Sequence, residues 1–541
     1  MASMASPEGK LAPVDKKVAD FSDDHYEYAD EKGRTPEEIA ELSGIESTAA
    51  SKAAWLISLT VSIGGFLFGY DTGYISSVLV IIGSSLGAPL SSSDEELVTS
   101  ITSGGALVGA VIAGLIADKY GRRKPIWLAC IVFVIGTVLQ TAAYSLVQFI
   151  IGRFVVGLGV GLAAMIVPLY IGEIAPAQYR GRMIAFNNMS VTFGQLVASA
   201  IGAGFAQVPG EAWRATVGIG GAPPILLAGL LFMCPESPRQ LVAHGHREAA
   251  DKALHRIYRE STEGQRAAKI KSIELSIEEA TNSMVREPIW KSFKRIFNTP
   301  ATGRAVFTAS MIMAISQLGG FNTLMYYAAR IFAIVGFSNA TAVAITVSAT
   351  NFVFSLVNLV LVDRFGRRAI LKITVLGMAV CMAIAVAAFR YIPIDLATLT
   401  VTSNDVGAPG IIVLVTIICY VAFYSSGVAT IAWIGTELIP LEVRALGTML
   451  NTVTCWSTNI IIASTFLTMM KSLTPSGAFG FYCAICFFGW LFIMFCYPEV
   501  RGMPLEAIRE VFSEGFGVKY SKRWQKEHKH EKKVVVQSFG H

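Results

Sequence analysis

The sequence predicts an all-α membrane protein with twelve transmembrane helices in two pseudo-symmetric six-helix halves. Three observations carry that prediction. Of 541 residues, 53% are hydrophobic and only 15% charged, with a mean hydropathy of +0.54, whereas a soluble chain carries roughly a quarter charged residues. The apolar residues gather into runs of about 20, the length that crosses a hydrocarbon layer of ~30 Å. Finally, short motifs in the first half of the chain return in order in the second.

The twelve runs fall at 53–80, 97–117, 125–144, 147–170, 183–206, 214–234, 303–332, 340–362, 370–390, 410–434, 446–469 and 477–497. Around them the chain divides into a polar tail (1–52), a six-helix half (53–234), a linker (235–302), a second six-helix half (303–497) and a second tail (498–541). The first tail ("DDHYEYADEKGRTPEE") has no apolar stretch of the kind a signal peptide needs. The linker ("HGHREAADKALHRIYRE" onward) has helix-forming composition and an Ala/Leu/Ile periodicity, so it reads as a few short surface helices. The last tail is basic ("KYSKRWQKEHKHEKK"), a composition that suits plain solvation as well as an anionic leaflet.

Basic residues mark alternate connections. Lys119, Arg122, Arg123 and Lys124 follow the second run, Arg180 and Arg182 the fourth, Arg364, Arg367 and Arg368 the eighth, and Arg444 the tenth. The opposite connections ("SSSDEELV", "YSLVQ", "QVPGEA", "GFSNAT") nearly lack them. The positive-inside rule therefore places both termini and the linker in the cytoplasm. All eight cysteines lie inside apolar runs, so no disulfide framework is expected. All seven histidines lie outside the runs. With no histidine, metal-ligand cluster or nucleophile–base set in the spans, an enzyme, a metal site or a cofactor is not expected.

The repeat is specific. "GLIADKYGRRK" (114–124) returns as "VLVDRFGRRA" (360–369), "EIAPAQYRG" (173–181) as "ELIPLEVRA" (437–445), and "PESPR" (235–239) as "PEVRG" (498–502). Two six-span halves with corresponding motifs describe a transporter that rocks around a site between the repeats. The motifs at the cytoplasmic ends bring acids and bases together, as Asp118, Arg122 and Arg123 do in one half and Asp363, Arg367 and Arg368 in the other. Glu173 with Arg180, and Glu437 with Arg444, occupy equivalent ends. These groups are expected to pair across the bundle when the inner side is closed. Each solvated pair is worth on the order of 1 kcal/mol, but a network can bias a two-state equilibrium.

Seven ordered segments ("GFLFGYDTG", "GRFVVGLGVG", "PLYIGEIAPAQYRG", "PESPR", "QLGGFN", "DRFGRR", "PEVRG") resemble the sugar porters of the major facilitator superfamily, over about residues 55–512. The resemblance implies the major facilitator fold, alternating access, and a plasma-membrane carrier that works as a monomer with no nucleic-acid partner. Within the family, "GFLFGYDTGYISS", "AWIGTELIP" and "WSTNIIIASTFLTMM" are most similar to fungal-type proton/myo-inositol symporters. The implied cargo is myo-inositol or a similar polyol or sugar, moved with a proton. A proton-linked hexose or pentose symporter, a facilitative uniporter and a transporter-like nutrient sensor are the alternatives.

Asp71 is the one acid well inside any run. Counted from Ala53 at 1.5 Å per residue, it lies roughly 27 Å along the first span, and Arg153 in the antiparallel fourth span sits at a matching depth. A carboxylate there is pulled toward ionisation by the guanidinium and toward neutrality by desolvation. Protonation from outside would release Arg153 and couple proton entry to closure. The resemblance gives an acid at this place in the motif the coupling role; the alternative is a permanent Asp71–Arg153 strut.

A polyol needs uncharged donors and acceptors beside an aromatic face. The seventh span offers Gln317, Asn322 and Tyr326, with "LGG" between the first two predicting a helix break. By resemblance, Gln317, Asn322, Asn351, Gln195, Trp456, Asn459 and Trp433 match substrate-contacting positions. Departures from the family pattern occur at Ser316, Cys455 and Asn188, the last standing where a glutamine is common. Each shortens or removes a polar arm. A glycosylation sequon at Asn339 falls on a short outer loop, and one at Asn188 falls within a span.

Overall fold

The computed structural model describes residues 36–47, 51–176, 179–286, 289–396, 399–401, 406–440, 443–500, 503, 510–513 and 515–526. Twelve rods cross the molecule. Five of the six in the first half are Lys52–Ile81, Ser92–Tyr120, Arg123–Thr141, Leu146–Ile174 and Arg180–Phe205, and the sixth is broken into Ala212–Ile219 and Ala222–Leu231. In the second half the seventh is broken (Pro300–Leu318, Phe321–Val335), the eighth and ninth are Ala340–Phe365 and Arg367–Phe389, and the tenth is broken (Ala408–Ser426, Val428–Ile434). The eleventh bends between Arg444–Ala463 and Phe466–Ser472, and the twelfth is Thr474–Cys496. A two-stranded ladder, Ile394–Asp395 with Thr400–Val401, folds the long loop between the ninth and tenth.

Among the described residues, ten helices are long and apolar enough to cross a membrane, eleven if the bent pair at the eleventh rod is one span. The remaining rod is the fifth. Arg180, Arg182, Asn187, Asn188 and Gln195 make it too polar to register as a span by hydropathy, and packing inside the bundle explains why it can be. The basic turns gather on one face, which the positive-inside rule would make the inner one.

Glycine sets how closely the rods approach. Spans two and four meet through Gly105, Gly109, Gly157 and Gly161, where an added Cβ would lie 2.0–2.3 Å from the facing carbonyl oxygens. Spans one and five meet the same way, with Gly69 at 1.9 Å from the carbonyl oxygen of Val191. With lipid as apolar as the side chains, such close packing is the main attraction between spanning helices. The halves touch through spans one and seven, two and eleven, and five and eight. The last two contacts are equivalent under the repeat.

The breaks have local causes. In span seven Gly320 takes φ +98°, a conformation that disfavours any side chain, and Tyr482 fills the space a Cβ would need. In span ten Gly427 lets the Thr374 hydroxyl approach to 2.3 Å of a would-be Cβ. Span two begins with a capping box, the Ser91 side chain accepting from Asp94 N–H and the Asp94 carboxylate from Ser91 N–H. That cap starts the helix at Ser92 rather than at 97, which draws Glu95 into its first turn and Glu96 just after it. The linker forms Pro238–Ala243, Arg247–Ile257, Glu263–Arg286 and Ile289–Asn298. The tail helix Pro36–Ser47 lies on the third of these, joined by Lys271 and Glu38 at 2.5 Å.

Candidate functional site

The two depths counted along the first and fourth spans meet. Arg153 Nη1 donates to Asp71 Oδ1 at 2.6 Å, with 1% of the arginine and 3% of the aspartate exposed. Arg153 Nε donates to the Val98 carbonyl at 3.2 Å, so the second span holds the guanidinium as well. Arg153 Nη1 also reaches the Tyr74 hydroxyl at 2.9 Å. Removing one partner of such a buried pair leaves an uncompensated charge, a penalty of about 3–5 kcal/mol. Neutralising Asp71 would remove the charge that faces Arg153 and leave the guanidinium with the Val98 carbonyl and the Tyr74 hydroxyl.

Of the nine expected substrate residues, six (Gln195, Gln317, Asn322, Tyr326, Asn351 and Asn459) are buried or half-buried and joined in two hydrogen-bonded groups, and Trp456 is buried without a polar partner. Across the seventh-span break, Asn322 Nδ2 donates to Gln317 Oε1 at 2.5 Å, which the glycine turn makes possible despite the five-residue spacing. Gln317 Nε2 donates to Cys455 Sγ at 3.3 Å, and Asn459 Nδ2 lies 3.5 Å from Gln317 Oε1. Tyr326 and Ser103 hydroxyls both donate to Asn459 Oδ1, at 3.3 and 3.0 Å. In the second group Asn351 Nδ2 donates to Gln195 Oε1 at 2.6 Å, and Ser425 donates to Asn351 Oδ1 at 2.7 Å. Trp456 is buried edge-on to Phe68, with its indole N–H unpartnered. These uncharged groups satisfy one another now and can be redirected to hydroxyls of a guest.

Two expected residues stand differently. Asn188 is half-buried two turns below Gln195 on the same helix face, and Trp433 is 40% exposed. Sequence reasoning missed Ser103, Ser425, Tyr74 and Gln140, ordinary residues in apolar runs without a motif to flag them. It also missed Glu95 and Glu96, although "SSSDEE" holds the capping signal that places them in the helix. A cavity of about 550 Å³ between spans nine, ten and twelve, lined by Lys372, Leu376, Gly377, Phe423 and Trp490 among others, contains none of the expected residues.

Hydrogen bonds between the halves run from mid-membrane outward. Beyond Ser103–Asn459 and Gln195–Asn351, Ser199 meets Ser348 at 2.7 Å and Ala329 N–H donates to Ser76 at 2.9 Å. At the outer mouth both Thr468 N–H and its hydroxyl donate to the Glu96 carboxylate at 2.7 Å, and Arg330 lies 3.8 Å from Glu95. The halves are thus joined on the side away from the basic turns.

At the inner turns the partners differ from the expected set. Glu173 pairs with Arg122 at 2.7 Å, inside the first half, and Arg180 is exposed. The reason is reach: Arg122 is buried at the start of the third span and forms a fork with Glu173, while Asp118, one turn back, joins at 3.0 Å. Burial disfavours the Arg122 charge, but the hydrogen bonds and attraction of Glu173, then of Asp118, more than offset it and hold the guanidinium above its ordinary value. The motif acids Glu236 and Glu499 cap the turns: Glu236 accepts from Arg122 and Arg123 N–H, and Glu499 from Arg368 N–H. The Arg368 guanidinium donates to the Met494 carbonyl at 2.7 Å, and Arg367 is half-buried. The side chains of Asp363, Glu437 and Arg444 lie outside the described residues. Asn339 uses its side chain to cap the eighth span, accepting from Ala342 N–H at 3.2 Å.

The profile of the sugar (and other) transporter family matches residues 57–512. Myo-inositol transporter 1 of Candida albicans is 41% identical over 90% of this chain and 88% of its own. Myo-inositol transporter 1 of Cryptococcus neoformans var. grubii is 41% identical over 88% of this chain and 84% of its own. Among solved structures, the major facilitator superfamily proton:xylose symporter XylE, bound to 6-bromo-6-deoxy-D-glucose, superposes with a TM-score of 0.69 at 26% identity, covering 85% of this chain and 99% of that one.

Proposed function

The chain belongs to the sugar transporter family, and we propose that it carries myo-inositol across the membrane together with a proton by alternating access. It is a transporter and not an enzyme. The observation that carries the reading is the juxtaposition of one buried, titratable ion pair, Asp71–Arg153, with buried uncharged amides and hydroxyls reaching between the halves. The first supplies a proton site and the second a guest site. The relatives named for myo-inositol support the cargo, and the proton:xylose symporter supports the coupling.

Substrate contacts are assigned to Gln195, Gln317, Asn322, Asn351 and Asn459 as polar arms, with Tyr326, Trp456, Trp433 and Asn188 bordering the guest. Coupling is assigned to Asp71 with Arg153. The inner turns, through Asp118, Arg122, Arg123, Glu173, Arg180, Asp363, Arg367, Arg368, Glu437 and Arg444, bias the inner gate. The carrier works as a monomer in the plasma membrane, with its five segments divided at 52, 234, 302 and 497 and both tails in the cytoplasm.

The test is uptake of labelled myo-inositol by cells that lack their own carrier, with unlabelled xylose and glucose as competitors. Saturable uptake displaced by myo-inositol and not by a large excess of either sugar supports the reading. Uptake of the sugars with no myo-inositol flux refutes the cargo.

A further inference from the structure

One hydroxyl beside the ion pair has more acceptors than hydrogens. Tyr74 Oη lies 2.9 Å from Asp71 Oδ1 and 2.8 Å from Gln140 Oε1, and it accepts from Arg153 Nη1 at 2.9 Å. A phenol has one O–H, so it serves either the carboxylate or the amide oxygen at a given moment. Gln140 reaches this point from the third span with no exposed surface, held against Gly152 of the fourth, where an added Cβ would come within 2.7 Å of its side chain. Its Nε2 has no partner, so the Tyr74 contact is the polar contact seen for this buried amide.

We propose that Tyr74 is a positioning residue for the coupling carboxylate, turning its O–H toward Asp71 when that group is ionised and toward Gln140 when Asp71 holds a proton. The inference rests on the proton-coupled reading above. An ionised carboxylate takes the O–H because a charge-assisted hydrogen bond is about twice as strong as a neutral one. A protonated Asp71 presents its own O–H to Tyr74 Oη, and Tyr74 then donates to Gln140 Oε1, giving a continuous chain from the first span to the third. No bond to carbon, nitrogen or oxygen breaks in Tyr74 or Gln140; the phenol rotates its hydrogen.

The charged and titratable groups facing Asp71 are few. Arg153 comes from the fourth span, Tyr74 from Asp71's own span and Tyr326 from the seventh. The second span offers the Val98 carbonyl to Arg153, the third offers Gln140, and the sixth offers the Thr216 carbonyl to Tyr70, whose ring lies 5.7 Å from that of Tyr74. Tyr74 and Gln140 therefore set the two ends of a balance that the surroundings otherwise leave to Arg153.

The experiment is initial uptake of labelled myo-inositol by the full-length chain, per copy at the cell surface, from about pH 4 to pH 9, a range that brackets a carboxylate and its common shifts. Tyr74→Phe removes the donor to the ionised state, so the midpoint of the pH profile moves about one unit to higher pH, tenfold in proton concentration. Gln140→Leu removes the acceptor used in the protonated state, so the midpoint moves to lower pH by a similar amount. Opposite shifts support the inference, and loosened packing would not produce them. Midpoints that coincide with the wild type, or that move together, overturn it. Should Tyr74→Phe fail to reach the membrane, the direction of the Gln140→Leu shift decides alone. A wild-type profile flat with pH overturns the proton-coupled reading and this inference with it; a pH-dependent wild type with unmoved variants overturns this inference only.

Discussion

At the scale of single residues, the buried ion pair makes the strongest claim. Arg153→Leu leaves Asp71 unpaired in a dry site, where it either stays ionised at a cost of about 3–5 kcal/mol or holds its proton throughout the cycle, so surface protein and uphill transport are both expected to fall. The double variant Arg153→Leu with Asp71→Asn removes both charges and is expected to recover surface protein without recovering uphill transport. Surface immunoblotting and uptake check both statements. Among the polar arms, Gln317→Ala removes the hub that Asn322 and Asn459 share. It is expected to raise KM about tenfold, the worth of one hydrogen bond, with a smaller change in maximal rate. The pair Asp71–Arg153 was legible in the sequence because an acid and a base inside apolar runs are costly and their depths can be counted. Tyr74 and Gln140 were not, because a tyrosine or glutamine near a span end satisfies hydropathy whatever it does. Pairing at the inner turns was legible only as charge: sequence spacing favoured Glu173 with Arg180, and three-dimensional reach gives Glu173 to Arg122.

At the scale of elements, glycine contacts position the site by letting spans approach. Gly161→Ala puts a methyl 2.0 Å from the Ala106 carbonyl oxygen, between spans two and four, and is expected to cost about 1–3 kcal/mol as overpacking. Gly114→Ala, on the same second span with nothing within 4 Å of the new methyl, is expected to leave stability unchanged. Thermal denaturation of the purified protein separates the two. Eleven of the twelve rods were legible by length and hydropathy once the bent eleventh is counted whole. The fifth, read in the sequence as an apolar run over 183–206, is the weakest of the twelve, since Arg180, Arg182, Asn187, Asn188 and Gln195 keep it below the hydropathy of a typical span. The seventh-span break was readable from "LGG", as the αL conformation at Gly320 requires a residue without a side chain.

At the scale of the whole molecule, closure on one side is a sum of small inter-half contacts, and each biases an equilibrium. Glu96 accepts two hydrogen bonds from Thr468 at the outer mouth. Glu96→Ala is expected to shift the population toward outward opening by tenfold or more, given about 1.5–3 kcal/mol for a hydrogen bond to a charge. Introducing Ser76→Cys at the contact with Ala329 and following its reaction with an impermeant thiol reagent reads this out: faster modification beside Glu96→Ala is the expected result. The two-half architecture was legible from the paired motifs, whereas the side that is closed was not, because it depends on contacts such as Ser199–Ser348 that no local pattern encodes.

The measurement that bears most directly on the account is uptake of labelled myo-inositol into carrier-deficient cells at acidic and alkaline external pH, for wild type and Asp71→Asn. The account predicts accumulation above the bath level at acidic pH in the wild type, and loss of that accumulation with survival of equilibrative flux in Asp71→Asn. Uptake that only equilibrates, ignores pH and is unchanged by Asp71→Asn would contradict it and leave Asp71–Arg153 as a strut.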